Sequence, residues 1–119
     1  MKNKIKNLKM RVSNEDFAIV KAKKFDPMAF ANIKYQKELT LIINEQRINK
    51  ENVLAIERGW KLITFDMILP FNLVGFIAKV SDTLAKEDIS IFVISSYSTD
   101  HILVKKENLR KAIDVLEKL

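Results

Sequence analysis

Cysteine is absent from the chain, which excludes a disulfide framework and any thiolate-bound metal. Histidine occurs once, as His101, so no histidine–carboxylate cluster has metal-ligand spacing. Glycine occurs only at Gly59 and Gly75, and neither a glycine-rich phosphate loop nor a nucleophile elbow is present. Asp66, Asp82, Asp88 and Asp100 are scattered, and no spacing among them favours an acid–base pair. The expectation is a protein that is not an enzyme, with no catalytic residue, no metal and no cofactor. No apolar run is long enough to span a bilayer, so no membrane role is expected. The first ten residues, MKNKIKNLKM, are basic but lack the apolar run of a secretory signal. A cysteine-free composition suits a reducing compartment, and the expected location is cytoplasmic. Low-complexity tracts and obvious short repeats are also missing.

What is present is an ordinary globular composition: 119 residues, 48% hydrophobic and 30% charged. That length suits one compact domain or two very small intertwined ones, and it buries roughly two-thirds of the unfolded surface. The net charge of +6 is concentrated. Residues 1–24 carry eight Lys/Arg against Glu15 and Asp16, while the rest of the chain sums to zero. A nucleic-acid reader more often carries its excess on a folded face, so solvated lysines near a terminus are expected rather than a phosphate-binding arm.

Along the chain, Leu8, Met10 and Val12 alternate with Lys9 and Arg11 as a strand with one wet face. Ser13-Asn14-Glu15-Asp16 reads as a turn into a second strand at 17–21, which makes an expected hairpin. Pro27 breaks that strand, and Met28–Phe30 suggests one helical turn. Two β-rich runs, 31–35 and 39–43, flank a short polar segment as a second hairpin. Residues 44–50 are a polar loop. Lys50 to Glu57 reads as two helical turns, with Gly59 at the left-handed position beyond its end.

The stretch from Trp60 to Val104 organises the rest. Trp60 to Met67 is apolar on both faces, as in a strand covered on both sides. Asn72 is an N-cap candidate for a helix over 73–86, whose residues Leu73, Phe76, Ile77, Val80 and Leu84 form one stripe. Ile89 to Ser96 is a strand again apolar on both faces, and His101 to Lys105 is the next. A helix over 107–119 turns Leu109, Ala112, Ile113 and Leu116 inward. This β-α-β-β-α order lacks the last strand of a βαββαβ unit, which must come from the N-terminal half or from another chain. The expectation is that the two halves complete each other's sheets, with helices of both packed as a layer.

Two corners carry the chemistry. The first is Leu69-Pro70-Phe71-Asn72-Leu73-Val74-Gly75, where unpaired N–H groups at a helix start attract anions. Glycine inside a first helical turn costs about 1 kcal/mol relative to alanine, so Gly75 points to close approach of a strand, a subunit or a ligand. The second is Ser95-Ser96-Tyr97-Ser98-Thr99-Asp100, where Asp100 would pair with an ammonium and the hydroxyls with polar ligand atoms. The alternative is a turn stabilised by its own Ser, Thr and Asp side chains. Trp60 reads as a core anchor, and His101 as a strand histidine with a satisfied ring.

At these corners the chain resembles a family. ISIFVISSYSTDHILV (89–104) and ERGWKLITFDMILPFNLVGFIAKVSDTLA (57–85) are similar to segments of small prokaryotic tandem ACT-domain proteins. That family is related to the CASTOR-type amino-acid sensors and to the regulatory domains of aspartate kinases. The likeness covers about residues 58–117; in the N-terminal half, FAIVKA and Glu38–Ile42 carry a weaker one. It implies an α+β fold of tandem ACT-like (ferredoxin-like βαββαβ) units, with antiparallel sheets and helices packed on one face. Residues 1–58 would form a degenerate N-terminal ACT-like subdomain and 59–119 the C-terminal ACT domain. It also implies a regulatory protein that binds a small molecule, an amino acid foremost, and strands apolar on both faces add the expectation of a homodimer. The site carried over is Leu69, Pro70, Phe71, Asn72, Leu73, Val74 and Gly75 facing Ser95, Ser96, Tyr97, Thr99 and Asp100. Two positions depart from the family pattern: His101 stands where Tyr is usual, and Ser96 where Thr is usual. A module that pairs with itself or a partner without a ligand is the rival expectation, and a basic-arm nucleic-acid binder the third.

Overall fold

The computed structural model describes residues 8–66 and 75–119. Residues 69–74 of the expected corner lie outside the described residues, but the helix expected over 73–86 begins at Phe76 and its N-cap is Gly75, not Asn72. Among the described residues, seven strands and two α-helices run in the order β1 (Met10–Val12), β2 (Phe17–Ala22), β3 (Ala31–Tyr35), β4 (Glu38–Asn44), β5 (Val53–Phe65), α1 (Phe76–Ala85), β6 (Ile91–Ser95), β7 (Asp100–Lys105) and α2 (Leu109–Leu116). The chain divides into two compact units, Met1–Ser13 with Lys61–Leu119, and Asn14–Trp60; β5 runs through both.

In the unit that carries the candidate site, β5 is flanked by β1 and β7, and β6 lies beyond β7. Met10, Arg11 and Val12 pair antiparallel with Phe65, Thr64 and Ile63, so β1 supplies the strand that the β-α-β-β-α order lacks. Ile63, Phe65, Ile102 and Val104 project from one face of this sheet onto Phe76, Val80 and Leu84 of α1 and Ala112 and Leu116 of α2. Alternation along each strand and the stripe along each helix place these residues together. Phe65 and Phe76 meet edge to face with centroids 5.2 Å apart. Beyond the end of helix α1 the chain turns at Asp88, whose φ is 61°. There Ile89 N donates to Leu84 O (3.0 Å) and Asp88 N to Ala85 O (2.9 Å), and buried Ile89 closes the cap.

In the unit Asn14–Trp60 the strand order is β3-β4-β2-β5. Ala18, Val20 and Ala22 of β2 and Leu39, Leu41 and Ile43 of β4 form its core on one face, with Ala29, Ile48, Val53 and Ile56 against them. Asn52, only 4% exposed, ties down the chain after β2. Its carboxamide accepts from Lys23 N (3.2 Å) and Lys24 N (2.9 Å) and donates to Lys24 O (2.9 Å).

Several expectations are corrected. Lys50 to Glu57 is not two helical turns: a 3-10 turn covers Lys50–Asn52 and β5 begins at Val53. Val20 pairs with Ile56 and Ala22 with Val53, and a register shift between Lys21 and Ala22 lets two residues three apart share the core face. A β-bulge thus imitates a helical spacing. Gly59 does have a left-handed φ, 82°, but within β5, where a second shift falls between Phe17 and Ile19. Its N–H donates to Glu45 Oε2 at 2.7 Å. β1 and β2 do not form a hairpin; each pairs antiparallel with its own part of β5. Ser13 N bonds Leu62 O (3.0 Å) and Asp16 O accepts from Glu45 N (2.9 Å), so 13–16 carries the chain onward instead of reversing it. Met28–Phe30 is a turn, and among the described residues 14–60 has no α-helix, so there is no layer of helices from both halves. Among the described residues β6 is not covered on both faces. It lies at the edge of the strand order, with Val93 40% exposed and Ile91, Phe92 and Ile94 half-buried.

Candidate functional site: the corner between β6 and β7

The antiparallel ladder of β6 and β7 pairs Ile94 with His101 and ends at Ser95 opposite Asp100. The four residues between the last pair form the turn. Ser96 N donates to Thr99 O at 2.9 Å, and Ser96 Oγ donates to the same carbonyl at 2.9 Å. Ser95 Oγ donates to Asp100 Oδ1 at 2.6 Å, a short bond typical of a hydroxyl on a carboxylate. Asp100 Oδ2 makes no hydrogen bond among the described residues. Tyr97 projects outward, 84% exposed.

His101 lies beneath this corner at 8% exposure. Its Nδ1 is 3.0 Å from Thr64 Oγ1 of β5, and its Nε2 is 3.3 Å from Ser96 Oγ. With the Ser96 hydroxyl directed at Thr99 O, the tautomer that satisfies both ring contacts carries its proton on Nε2. Nδ1 is then an acceptor, and Thr64 donates to it. One directed chain therefore runs Thr64 to His101 to Ser96 to the Thr99 carbonyl. Burial lowers the His101 pKa from its usual 6.5, and the neighbouring Asp100 carboxylate raises it in part. Burial thus favours the neutral ring. The sequence reading of His101 as a satisfied strand histidine holds. Its link through Ser96 to the corner was missed, and the signal was its place directly after Asp100.

Of the residues expected at the site, Ser95, Ser96, Tyr97, Thr99 and Asp100 come together in this corner. Leu69, Pro70, Phe71, Asn72, Leu73 and Val74 lie outside the described residues. Gly75 is corrected in its reason. It is the N-cap of α1 rather than part of its first turn, with φ 93°. Among the described residues no atom lies within 4 Å of where its Cβ would stand. The left-handed backbone is by itself reason for a glycine there. Among the described residues no group of three or more His, Asp or Glu side chains is placed to hold a metal. None of their helices is long and apolar enough to cross a membrane.

The ACT domain family model matches residues 55–118. Among solved structures, an Agobacterium tumefaciens protein is 24% identical with a TM-score of 0.81, covering 93% of this chain and 87% of its own. A Vibrio cholerae protein of unknown function, described as a possible transport protein, is 23% identical with a TM-score of 0.77, over 90% of this chain and 85% of its own. The regulatory subunit of aspartate kinase from Thermus thermophilus, in its ligand-free form, is 8% identical with a TM-score of 0.68, over 95% and 98%. At these identities the likeness concerns the fold.

Proposed function

Because the chain belongs to the ACT domain family, we propose that it is a non-enzymatic regulatory protein that senses a small zwitterion, an amino acid foremost, at the β6–β7 corner. The observation that carries this reading is Asp100. Its carboxylate is oriented through Oδ1 by Ser95, while Oδ2 has no hydrogen bond among the described residues. A half-buried carboxylate fixed in this way suits an ammonium group. The ligand's carboxylate would be held by backbone N–H groups of the Leu69–Gly75 segment, Asn72 to Gly75 foremost, just before the N-terminus of α1. The thermal-shift screen that tests this uses each proteinogenic amino acid in turn. At 100 times Kd, a ligand that binds only the folded state stabilises it by about 2.7 kcal/mol. Asp100→Ala should weaken any binding found. Affinity unchanged by that substitution removes Asp100 from the site, and no shift with any amino acid removes the sensor reading.

The homodimer belongs to the same proposal. The apolar β6 edge, with Val93 exposed and Ile91, Phe92 and Ile94 half-buried, suits pairing with a second copy. A specific observation favours the ligand-free module as the second reading: Ser95 and Ser96 spend their hydroxyl protons on Asp100 and on the Thr99 carbonyl. That reading expects a dimer in which no amino acid changes the melting temperature.

A further inference from the structure

Five of the eight large apolar side chains left exposed among the described residues fall between positions 25 and 35: Phe25, Met28, Phe30, Ile33 and Tyr35, at 40–67% exposure. They are not on a loose segment. Asp26 N donates to Asn32 Oδ1 and Asn32 Nδ2 donates back to Asp26 O, both at 2.9 Å. Met28 N also donates to Asp26 Oδ1 at 2.9 Å. This double clamp fastens the 25–30 loop to β3 and holds its apolar side chains outward. Phe30 rests edge-on against Phe17, with centroids 6.3 Å apart.

β3 is also the end of the strand order in its unit. A two-residue turn, with Gln36 at φ 54°, joins Tyr35 to Glu38. Such a turn makes Tyr35 and Glu38 a hydrogen-bonded pair, and alternation then does the same for Ile33 and Ala31. The N–H and C=O groups of Asn32 and Lys34 are therefore directed away from β4. Ile33 and Tyr35 share one face of this edge, and Lys34 lies on the other.

The surrounding charge is mostly positive. Lys21, Lys23, Lys24, Lys34 and Lys37 are exposed, and none has an acidic partner within 4 Å among the described residues. Nearby acids are Asp26, engaged in the clamp, Glu38, and Glu51, which lines one hollow with Lys23 and Lys24.

We propose that the β3 edge and the clamped 25–30 loop bind an extended acidic peptide of a partner protein, which adds a strand beside β3. Main-chain bonds to Asn32 and Lys34 would set its register. Its apolar residues would lie along Ile33 and Tyr35, and its carboxylates would meet the lysines. A second copy of this chain fits poorly, because it would bring the same lysines against themselves. A membrane surface fits poorly as well, because backbone groups at the β3 edge would have no partner in lipid.

The test uses an octapeptide alternating valine with glutamate, its counterpart with lysine in place of glutamate, and the wild-type protein. Fluorescence polarisation should show binding of the glutamate peptide that weakens with salt, and binding of the lysine peptide at least about tenfold weaker. Lys34→Pro, which removes an outward N–H and a charge, should abolish binding, and Lys34→Glu should weaken it about tenfold. Amide exchange needs no variant: the Asn32 and Lys34 N–H groups should slow when the glutamate peptide is added to the wild type. Unchanged exchange at both positions overturns the proposal, as does equal binding of the two peptides. It is overturned in favour of a second copy if β3 becomes protected with concentration alone, without peptide. It is overturned in favour of a lipid surface if the protein binds vesicles of anionic phospholipid and neither peptide.

Discussion

Replacing Thr64 by valine tests whether a directed chain of hydrogen bonds supports the β6–β7 corner. The two side chains have nearly the same shape, so the change removes one donor and little volume. His101 Nδ1 then loses the Thr64 hydroxyl 3.0 Å away. Switching tautomer does not help. A proton moved to Nδ1 would lose Thr64 Oγ1 as its acceptor, just as the bare nitrogen loses it as a donor. A buried acceptor deprived of its donor costs about 1–3 kcal/mol. For a chain between the sizes usually surveyed this lowers Tm by about 3–6 °C per kcal/mol. Replacing both partners by apolar groups, as in Thr64→Val with His101→Phe, should recover most of the loss, because no polar atom is then stranded. Urea unfolding of the wild type, both single variants and the double variant gives the coupling energy directly. Two additive single losses, or a Thr64→Val loss under about 0.5 kcal/mol, would refute the chain.

His101 also sets a pH dependence. Burial favours its neutral form in the fold, so its contribution to stability is complete above 6.5 and is lost as pH falls through 6.5 toward the lower folded value. His101→Gln should flatten this part of the curve, seen as a smaller loss of stability from about pH 7.5 to 5.5 by urea unfolding; an identical slope contradicts the assignment. Gly75→Ala should cost about 1–2 kcal/mol from its φ of 93° alone, and Gly75→Asn less, because no described atom crowds the position. Equal losses for the two would point to crowding instead. Asn52→Ala should destabilise by about 2–3 kcal/mol in chemical denaturation, since its carboxamide serves Lys23 N, Lys24 N and Lys24 O.

The sequence was most legible where one periodicity had one meaning. Phe76, Val80 and Leu84 fall on a single helical face and are buried together, and the alternation of Ile102 and Val104 with His101 and Leu103 is that of a real strand. It was least legible where pairing partners reset the period. Val53 and Ile56 look helical because of the β-bulge opposite Lys21 and Ala22, which no local pattern announces. Ser13–Asp16 has the composition of a reversing turn, yet its backbone bonds go to Leu62 and Glu45, far along the chain. β6 looks like a covered strand because Ile91–Ile94 is apolar throughout, although it ends the strand order. The polar corner was legible as a cluster of residue types. Its inward support was not, because Thr64 and His101 meet only when β5 and β7 lie side by side.

The central claim is that Asp100 recognises the ammonium group of a small zwitterion. A crystal structure of the protein grown with whichever amino acid raises its melting temperature tests this most directly. The account predicts the ligand nitrogen at about 2.7–3.2 Å from Asp100 Oδ2, with Ser95 still donating to Oδ1. A ligand bound elsewhere, with the corner unchanged, would contradict it.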